Sequence, residues 1–368
     1  MDKTAYNFVL KLINLTFDHL SLPLRKNLAD LITAFFNNTS ITLWDLSSHL
    51  SGESTVKHKH KRLIYFLDQL QIDFKFWKSF ILTVFCLPGL NLKQRKQLTI
   101  VIDATTLKDD YWMLVCSALF EGRTIPLYMK AWPHVNVRYD YWARVTEFIT
   151  DLALLLPGGL NYEIVADRGF YGPKLASLVS NIGWKYVIRV NGNVMIKTKD
   201  KPDFVQLDLF SDGWYEHVCF SKANKSTENI AVKSALTKDG KPTRWYIKTN
   251  VDSLEKTIKA YESRFWIEET FKDLKSKLKW ETYTEKIPKK DRLIKATTVS
   301  LLSYAIQMSF GSQIDVSESE RKKSSILTQF KNTYQRISLK LTDIILKFMA
   351  RITTYVNRTK IRFAQDFG

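Results

Sequence analysis

Apolar residues recur at three-to-four spacing through the first 95 positions. LTFDHLSLPL, LADLITAFFNN and FLDQLQIDFKFWKSFILTVF each gather them on one side of a helix. Within this stretch, SITLWDLSSHL, the break SGES and STVKHKHKRLIYFLDQL predict a helix, a turn and a second helix, with Ser54 or Thr55 as its cap. After Pro88 and Gly89 the rhythm becomes that of strands. LTIVID (98–103), YWMLVCSAL (111–119) and TIPLYMKAW (124–132) are short apolar or alternating runs parted by TTLKDD and FEGR, which predicts a three-stranded meander. RVTEFITDLALLLP predicts a helix stopped by Pro157 and two glycines, and YEIVAD (162–167), GPKLASLVSNIG and KYVIRV (185–190) predict strand, helix, strand.

Three strands, a helix, a strand, a helix and a strand follow one another in the order of the ribonuclease-H-like fold, a mixed α/β sheet flanked by helices. Polar and glycine-containing turns between WYEHVCF and RWYIKT make residues 191–251 a β-rich insertion in that core. Helical period then resumes in DSLEKTIKAYESRFWIEETFKDLKSKLKW, with Asp252 or Ser253 as the cap. The expected organisation is a helical domain over 1–95, which the basic residues described next make a DNA-binding one, the first part of the core over 96–190, the insertion over 191–251 and the second part of the core over 252–310. A basic helical region over 311–368, broken at GSQIDVSESERKKSS, completes the chain.

Composition sharpens the partner. At 45% hydrophobic residues the 368-residue chain has enough apolar material for a large packed core, and its formal net charge of +18 suits a surface that meets many phosphates. Nucleic acid is therefore the expected partner. Cys86, Cys116 and Cys219 are scattered, without the spacing of a disulfide framework or a thiolate zinc site. The N-terminus lacks a signal-peptide pattern, and no apolar run approaches the roughly 18 residues that would span a bilayer, so a cytoplasmic protein associated with the nucleoid is expected. The run KHKHKR opens the second helix of the pair near residue 56 and places Lys57, Lys59, Lys61 and Arg62 where a recognition helix meets phosphates or base edges. His58 and His60 belong to that basic face rather than to a metal site.

The acidic residues carry the chemistry. Asp103 ends VID and Asp167 ends IVAD, so rigid strands would deliver both carboxylates to the point where the sheet meets solvent. An Asp at a strand end is also a common turn residue. On the helix after the insertion, Tyr261, Arg264, Glu268 and Lys275 fall within roughly 60° of one face at 3.6 residues per turn, whereas Glu269 faces elsewhere. A polar stripe of this kind is costly to bury without partners. Three carboxylates from two strands and one helix would hold two hard cations, Mg2+ most naturally and Mn2+ as a substitute, for in-line phosphoryl transfer.

The segment YESRFWIEETFKDLK resembles the signature Tyr, two residues, Arg, three residues, Glu, six residues, Lys of bacterial insertion-sequence DDE transposases, and matches it at Tyr261, Arg264, Glu268 and Lys275. VIDATTLKDDYWMLVCSALFEGRTIPLYMKAWP and IVADRGFYG resemble the blocks around that family's two catalytic aspartates. The resemblance implies that Asp103, Asp167 and Glu268 form a catalytic, metal-binding triad on a ribonuclease-H-like core. It also implies that the enzyme cuts its element's terminal inverted repeats, closes a hairpin and joins the 3′-ends to target DNA, while the chemistry of Arg264 and Lys275 beside the metals makes them phosphate clamps on the DNA, with Tyr261 donating to a phosphate oxygen. The expected assembly on that double-stranded DNA is a homodimer. Trp245 holds the place of a tryptophan that stacks on a flipped base, and Trp214 is the next candidate. Two other readings of the residues remain: a metal-dependent nuclease that cuts without joining, and a non-catalytic DNA-binding repressor.

Overall fold

Five helices precede the first strand: α1 (Lys3–Thr16), α2 (Leu22–Asn37), α3 (Leu43–Ser48), α4 (Val56–Gln69) and α5 (Phe74–Cys86). The computed structural model describes residues 3–37, 42–87, 90, 96–107, 110–134, 137–221, 224–237, 239–278, 280, 290–313 and 326–336. Pro88 and Gly89, two residues of TTLKDD, most of the break that begins at Gly311 and the end of the C-terminal region lie outside these residues.

The strand meander is β1 (Gln97–Leu107), β2 (Tyr111–Phe120) and β3 (Arg123–Pro133), followed by α6 (Val137–Leu155), β4 (Asn161–Ala166), α7 (Pro173–Asn181) and β5 (Lys185–Val190). Between β2 and β3, Glu121 and Gly122 both take positive φ (42° and 74°), the backbone of a two-residue hairpin whose twist suits the strands it joins. β2 and β3 lie antiparallel beside β1, while β4 and β5 run parallel to it. The order β3-β2-β1-β4-β5 and these directions fit a ribonuclease-H-like core.

The residues expected as an insertion hold β6 (Met195–Ile196), β7 (Val205–Gln206), β8 (Gly213–Ser221), β9 (Asn224–Leu236) and β10 (Pro242–Thr249). β10 pairs antiparallel with β5, and β9 and β8 follow, so one sheet of eight strands runs through both parts of the chain. A small apolar cluster of Val190, Leu207, Phe210, Val218 and Ile230 lies at that end of it. After β10 come α8 (Leu254–Ser263), α9 (Phe265–Lys277), α10 (Lys290–Gly311) and α11 (Ile326–Arg336). Ser253 is the cap of α8, its hydroxyl accepting the Lys256 N–H at 3.3 Å.

The N-terminal helices share one continuous apolar core with the sheet. Trp77 of α5 stands edge-on to Tyr128 of β3 at 4.9 Å, and Tyr128 stacks on Phe148 of α6 at 5.0 Å. α10 is buried along nearly its whole length, as an apolar helix without a polar face must be, and touches α2, α4, α5 and β3. Two of its buried hydroxyls tie it to neighbouring elements: Ser303 donates to the Ile32 carbonyl at 3.0 Å, and Ser300 accepts the Trp280 indole N–H at 3.1 Å.

Arg62 is not among the outward groups of α4. Its guanidinium lies 2.5 Å from Asp30 of α2 and also donates to the Ser51 carbonyl at 3.1 Å, because a carboxylate only 4% exposed requires a cation. This bond ties α4 and the preceding turn to α2. Arg62→Ala is expected to lower unfolding stability by about 1–3 kcal/mol, the cost of leaving a buried partner incompletely paired. Lys57→Ala and Lys61→Ala, on the exposed side, should stay within about 0.5 kcal/mol of wild type in urea titrations.

Candidate active site

Register brings the two aspartates together. β1 and β4 pair in parallel up to Ile102 opposite Ala166, so Asp103 and Asp167 occupy the next position on each chain, where β4 leaves the ladder. Asp103 does not end its strand. β1 runs on to Leu107 because β2 continues to pair with it, from Ala104 opposite Leu114 to Leu107 opposite Tyr111. Asp167 opens a single 3-10 turn, Arg168–Phe170, and turns the chain away from the sheet. The carboxyl ends of parallel strands form the crevice in which α/β folds place their ligands.

The expected single helix is two. α8 ends at Ser263 and α9 begins at Phe265, joined at Arg264 by tight bonds of three-residue span, Arg264 N–H to Tyr261 C=O (3.0 Å) and Ile267 N–H to Arg264 C=O (3.1 Å). The polar stripe therefore starts on α8, crosses the joint and continues on α9. It lies against the two aspartates. The Tyr261 hydroxyl donates to Asp167 Oδ1 at 3.3 Å. Arg264 Nη1 donates to Asp103 Oδ2 at 3.4 Å, and its Nη2 to Glu268 Oε1 at 2.6 Å.

Asp103, Asp167, Tyr261, Arg264 and Glu268 thus converge, and Lys275 follows two turns further along α9, half-buried. Arg264 is 5% exposed, and its guanidinium lies 4.7 Å from the Phe265 ring centre. Burial works against its charge, but Tyr261, Asp167, Asp103 and Glu268 together raise its pKa above the ordinary value. Its Nε–H is buried with no hydrogen-bond partner among the described residues. Burial pushes the Asp103 carboxyl up to about 6, against the pull of Arg264 and of the Ala104 N–H at 2.8 Å, and Asp167 and Glu268 add to the rise. Burial also raises the Tyr261 hydroxyl.

The carboxylates supply only oxygen donors, the set that hard divalent cations prefer. A guanidinium bonded to two of them shows that a positive charge is accommodated there. Among the described residues no group of three or more His, Cys, Asp or Glu side chains is gathered closely enough to hold a metal ion. Glu269 turns away, its carboxylate 3.7 Å from Arg123 of β3. Beside it Asp273 takes Arg123 Nε at 2.8 Å and Lys277 at 2.8 Å, and Thr270 accepts the Thr124 N–H at 2.8 Å, so the back of α9 is bonded to the start of β3.

Trp245 is packed rather than open. It is 8% exposed, 5.2 Å from the Tyr261 ring and 6.0 Å from that of Phe265, and it forms a wall behind the joint. Trp214 is partly buried, its indole N–H bonded to Glu216 at 3.0 Å. Lys57, Lys59 and Lys61 lie on α4 and belong to another surface, and Arg62 is held by Asp30.

Two residues escaped the sequence reading. Arg189 of β5 stands beside the Tyr261 hydroxyl and opposes the rise that burial imposes on its pKa. Its only trace in the sequence is a lone Arg inside the apolar run KYVIRV. Tyr141 of α6 donates to the Gly169 carbonyl at 2.8 Å, bracing the turn after Asp167, and Asp103 helps burial to raise its pKa. No motif marks it.

Because the folded-state pKa of Asp103 is raised, the stability contributed by its protonated form is complete below about pH 4 and is lost as pH rises through about 6. Asp103→Asn removes that loss. With chelator present, its melting temperature should match wild type near pH 4 and exceed it at pH 8 by the equivalent of about 1–3 kcal/mol. A difference that shrinks with rising pH would contradict the burial of this acid.

Residues 145–287 match the family model of the transposase DDE domain. The matched range includes Asp167, Tyr261, Arg264, Glu268 and Lys275, and Asp103 precedes it. No curated protein matches the chain. No helix among the described residues is long and apolar enough to cross a membrane. Over residues 145–287 the chain is similar to the DDE transposases, which supports a nucleic-acid-processing enzyme of the transposase type.

Proposed function

We propose that this protein is a cut-and-paste transposase that binds the inverted-repeat ends of a DNA element, cleaves them with Mg2+ and joins the freed 3′-ends to target DNA. The observation that carries the reading is the meeting of Asp103, Asp167 and Glu268 around one Tyr261–Arg264 joint. Asp103, Asp167 and Glu268 are the residues that would hold the metal, for which Mn2+ would substitute. When bound, two such ions would activate the attacking water or 3′-hydroxyl and stabilise the leaving oxygen.

The chain's own groups position the rest. Tyr261 holds the Asp167 carboxylate by its hydroxyl, and Arg264 bonds both Asp103 and Glu268 and so fixes the two acids relative to each other. Lys275 adds positive charge along the strand's path. Asp103 must be ionised to serve, and burial raises its pKa in the metal-free site, so a cation would compete with a proton there. Second-strand cleavage runs through a hairpin within a homodimeric synaptic complex. Trp245 supports both cleavage steps as the wall behind Tyr261, so Trp245→Ala should reduce nicking and hairpin closure together.

The test uses duplexes taken from the DNA flanking the gene, with nicked, hairpin and joined products separated on denaturing gels. Asp103→Asn, Asp167→Asn and Glu268→Gln should each lower Mg2+-dependent cleavage by about a thousand-fold or more while leaving end binding near wild type, since the phosphate contacts that dominate affinity lie elsewhere. Glu269→Gln should keep activity. Full cleavage by any of the first three would remove that residue from the site, cleavage without joining would favour a nuclease, and binding without cleavage would favour a repressor.

A further inference from the structure

We infer that α3 and α4 present a composite DNA-reading face in which two exposed aromatics, Trp44 and Tyr65, supply sequence preference and the lysines between them supply affinity. The inference rests on the DNA-binding part of the function proposed above and extends it to residues that no motif marks.

Three observations lead to it. The first is a stripe on α4. Lys57, Lys61 and Tyr65 succeed one another at four-residue intervals, and all three are exposed. At 1.5 Å per residue the stripe is about 12 Å long, a length the major groove of a duplex accommodates. The acid further along the same side, Asp68, is already neutralised by two bonds from Arg292 of α10, at 2.7 and 2.6 Å. The nearby acids off the stripe are Asp45, which helps cap α3, and Glu53 in the turn. Phosphates approaching the stripe therefore meet uncompensated positive charge.

The second is the exposure of large aromatic surface beside it. Tyr65 is 64% and Trp44 49% exposed, although both sit on helices whose other faces are buried in the core. Trp44 is held in place on its flank of α4 by the His60 ring, 5.3 Å away, and His60 is in turn 3.3 Å from the Ser47 hydroxyl. A rigid, exposed ring flanking a row of lysines has apolar contact to offer to base edges and thymine methyl groups, which phosphate-directed lysines cannot read.

The third is local cost. Lys57 and Lys59 lie near the positive end of the α4 dipole, with no acid in the first turn and no side-chain cap bond from Thr55. That arrangement disfavours the helix end on its own, and a local rule broken without compensation inside the chain is the mark of a functional surface. Duplex phosphates supply the missing negative charge. Arg62 has no part in this face, since Asp30 holds it.

The experiment measures binding of the full-length protein, by fluorescence anisotropy across a salt series, to a duplex from the DNA flanking the gene and to a random-sequence duplex. Trp44→Ala and Tyr65→Ala should each lower the ratio of the two affinities by about five-fold or more, the range of a lost base contact, with the salt slope unchanged. Trp44→Phe should restore most of the ratio. Lys57→Ala combined with Lys61→Ala should weaken both duplexes in parallel and reduce the slope by about two. Thermal melts confirm folding, which substitution at exposed positions should spare. If wild type prefers the flanking duplex and both aromatic variants keep that preference, the inference falls while the proposed function stands. If wild type shows no preference between the duplexes, both fall.

Discussion

Burial of Asp103 in the crevice penalises its charge, Asp167 and Glu268 nearby add to that penalty, and much of the site follows from how the cost is offset. Arg264 lies between Asp103 and Glu268, buried, with its guanidinium over the Phe265 ring, and Tyr261 takes the third acid. A buried guanidinium without carboxylates would be as unfavourable as the carboxylates without it. Each half of the arrangement therefore requires the other. Tyr261 and Arg264, three residues apart at the joint between α8 and α9, lie on one side and are directed at Asp167 and Asp103 respectively.

Around this centre the scaffold is bonded from behind as well as in front. Arg123 and Thr124 at the start of β3 hold Asp273 and Thr270 of α9, and Tyr141 clamps the turn that follows Asp167. The carboxylates are thus carried on elements fixed on two sides, which is how a site keeps its geometry within a fraction of an ångström. Trp245 contributes by filling the space behind the joint.

Much of this was legible because it depends on period and spacing. The strands of the core lie within a few residues of where alternation and turn chemistry put them, and the FEGR turn is the hairpin expected. The acids were recognisable by the spacing of Tyr261, Arg264, Glu268 and Lys275. Features set by tertiary pairing were not. That β1 continues past Asp103 depends on β2, and that Arg62 turns inward depends on a buried Asp30 thirty-two residues earlier. The break at Arg264 is invisible to a helical-period argument because the stripe keeps its side across it. Residues 191–251 read correctly as strands, but their continuation of the main sheet is a matter of which edge they meet, and no local pattern states that.

The placement of α10 has a consequence for synthesis. This helix, made only after residue 290, fills the space between the first helices and the sheet and bonds directly to the Ile32 carbonyl of α2. A nascent chain stopped before that point has emerged with α1 to α5 complete in sequence yet lacking the apolar surface they are built to cover. Completion of the apolar core around the amino-terminal helices therefore waits for a helix encoded after the whole sheet.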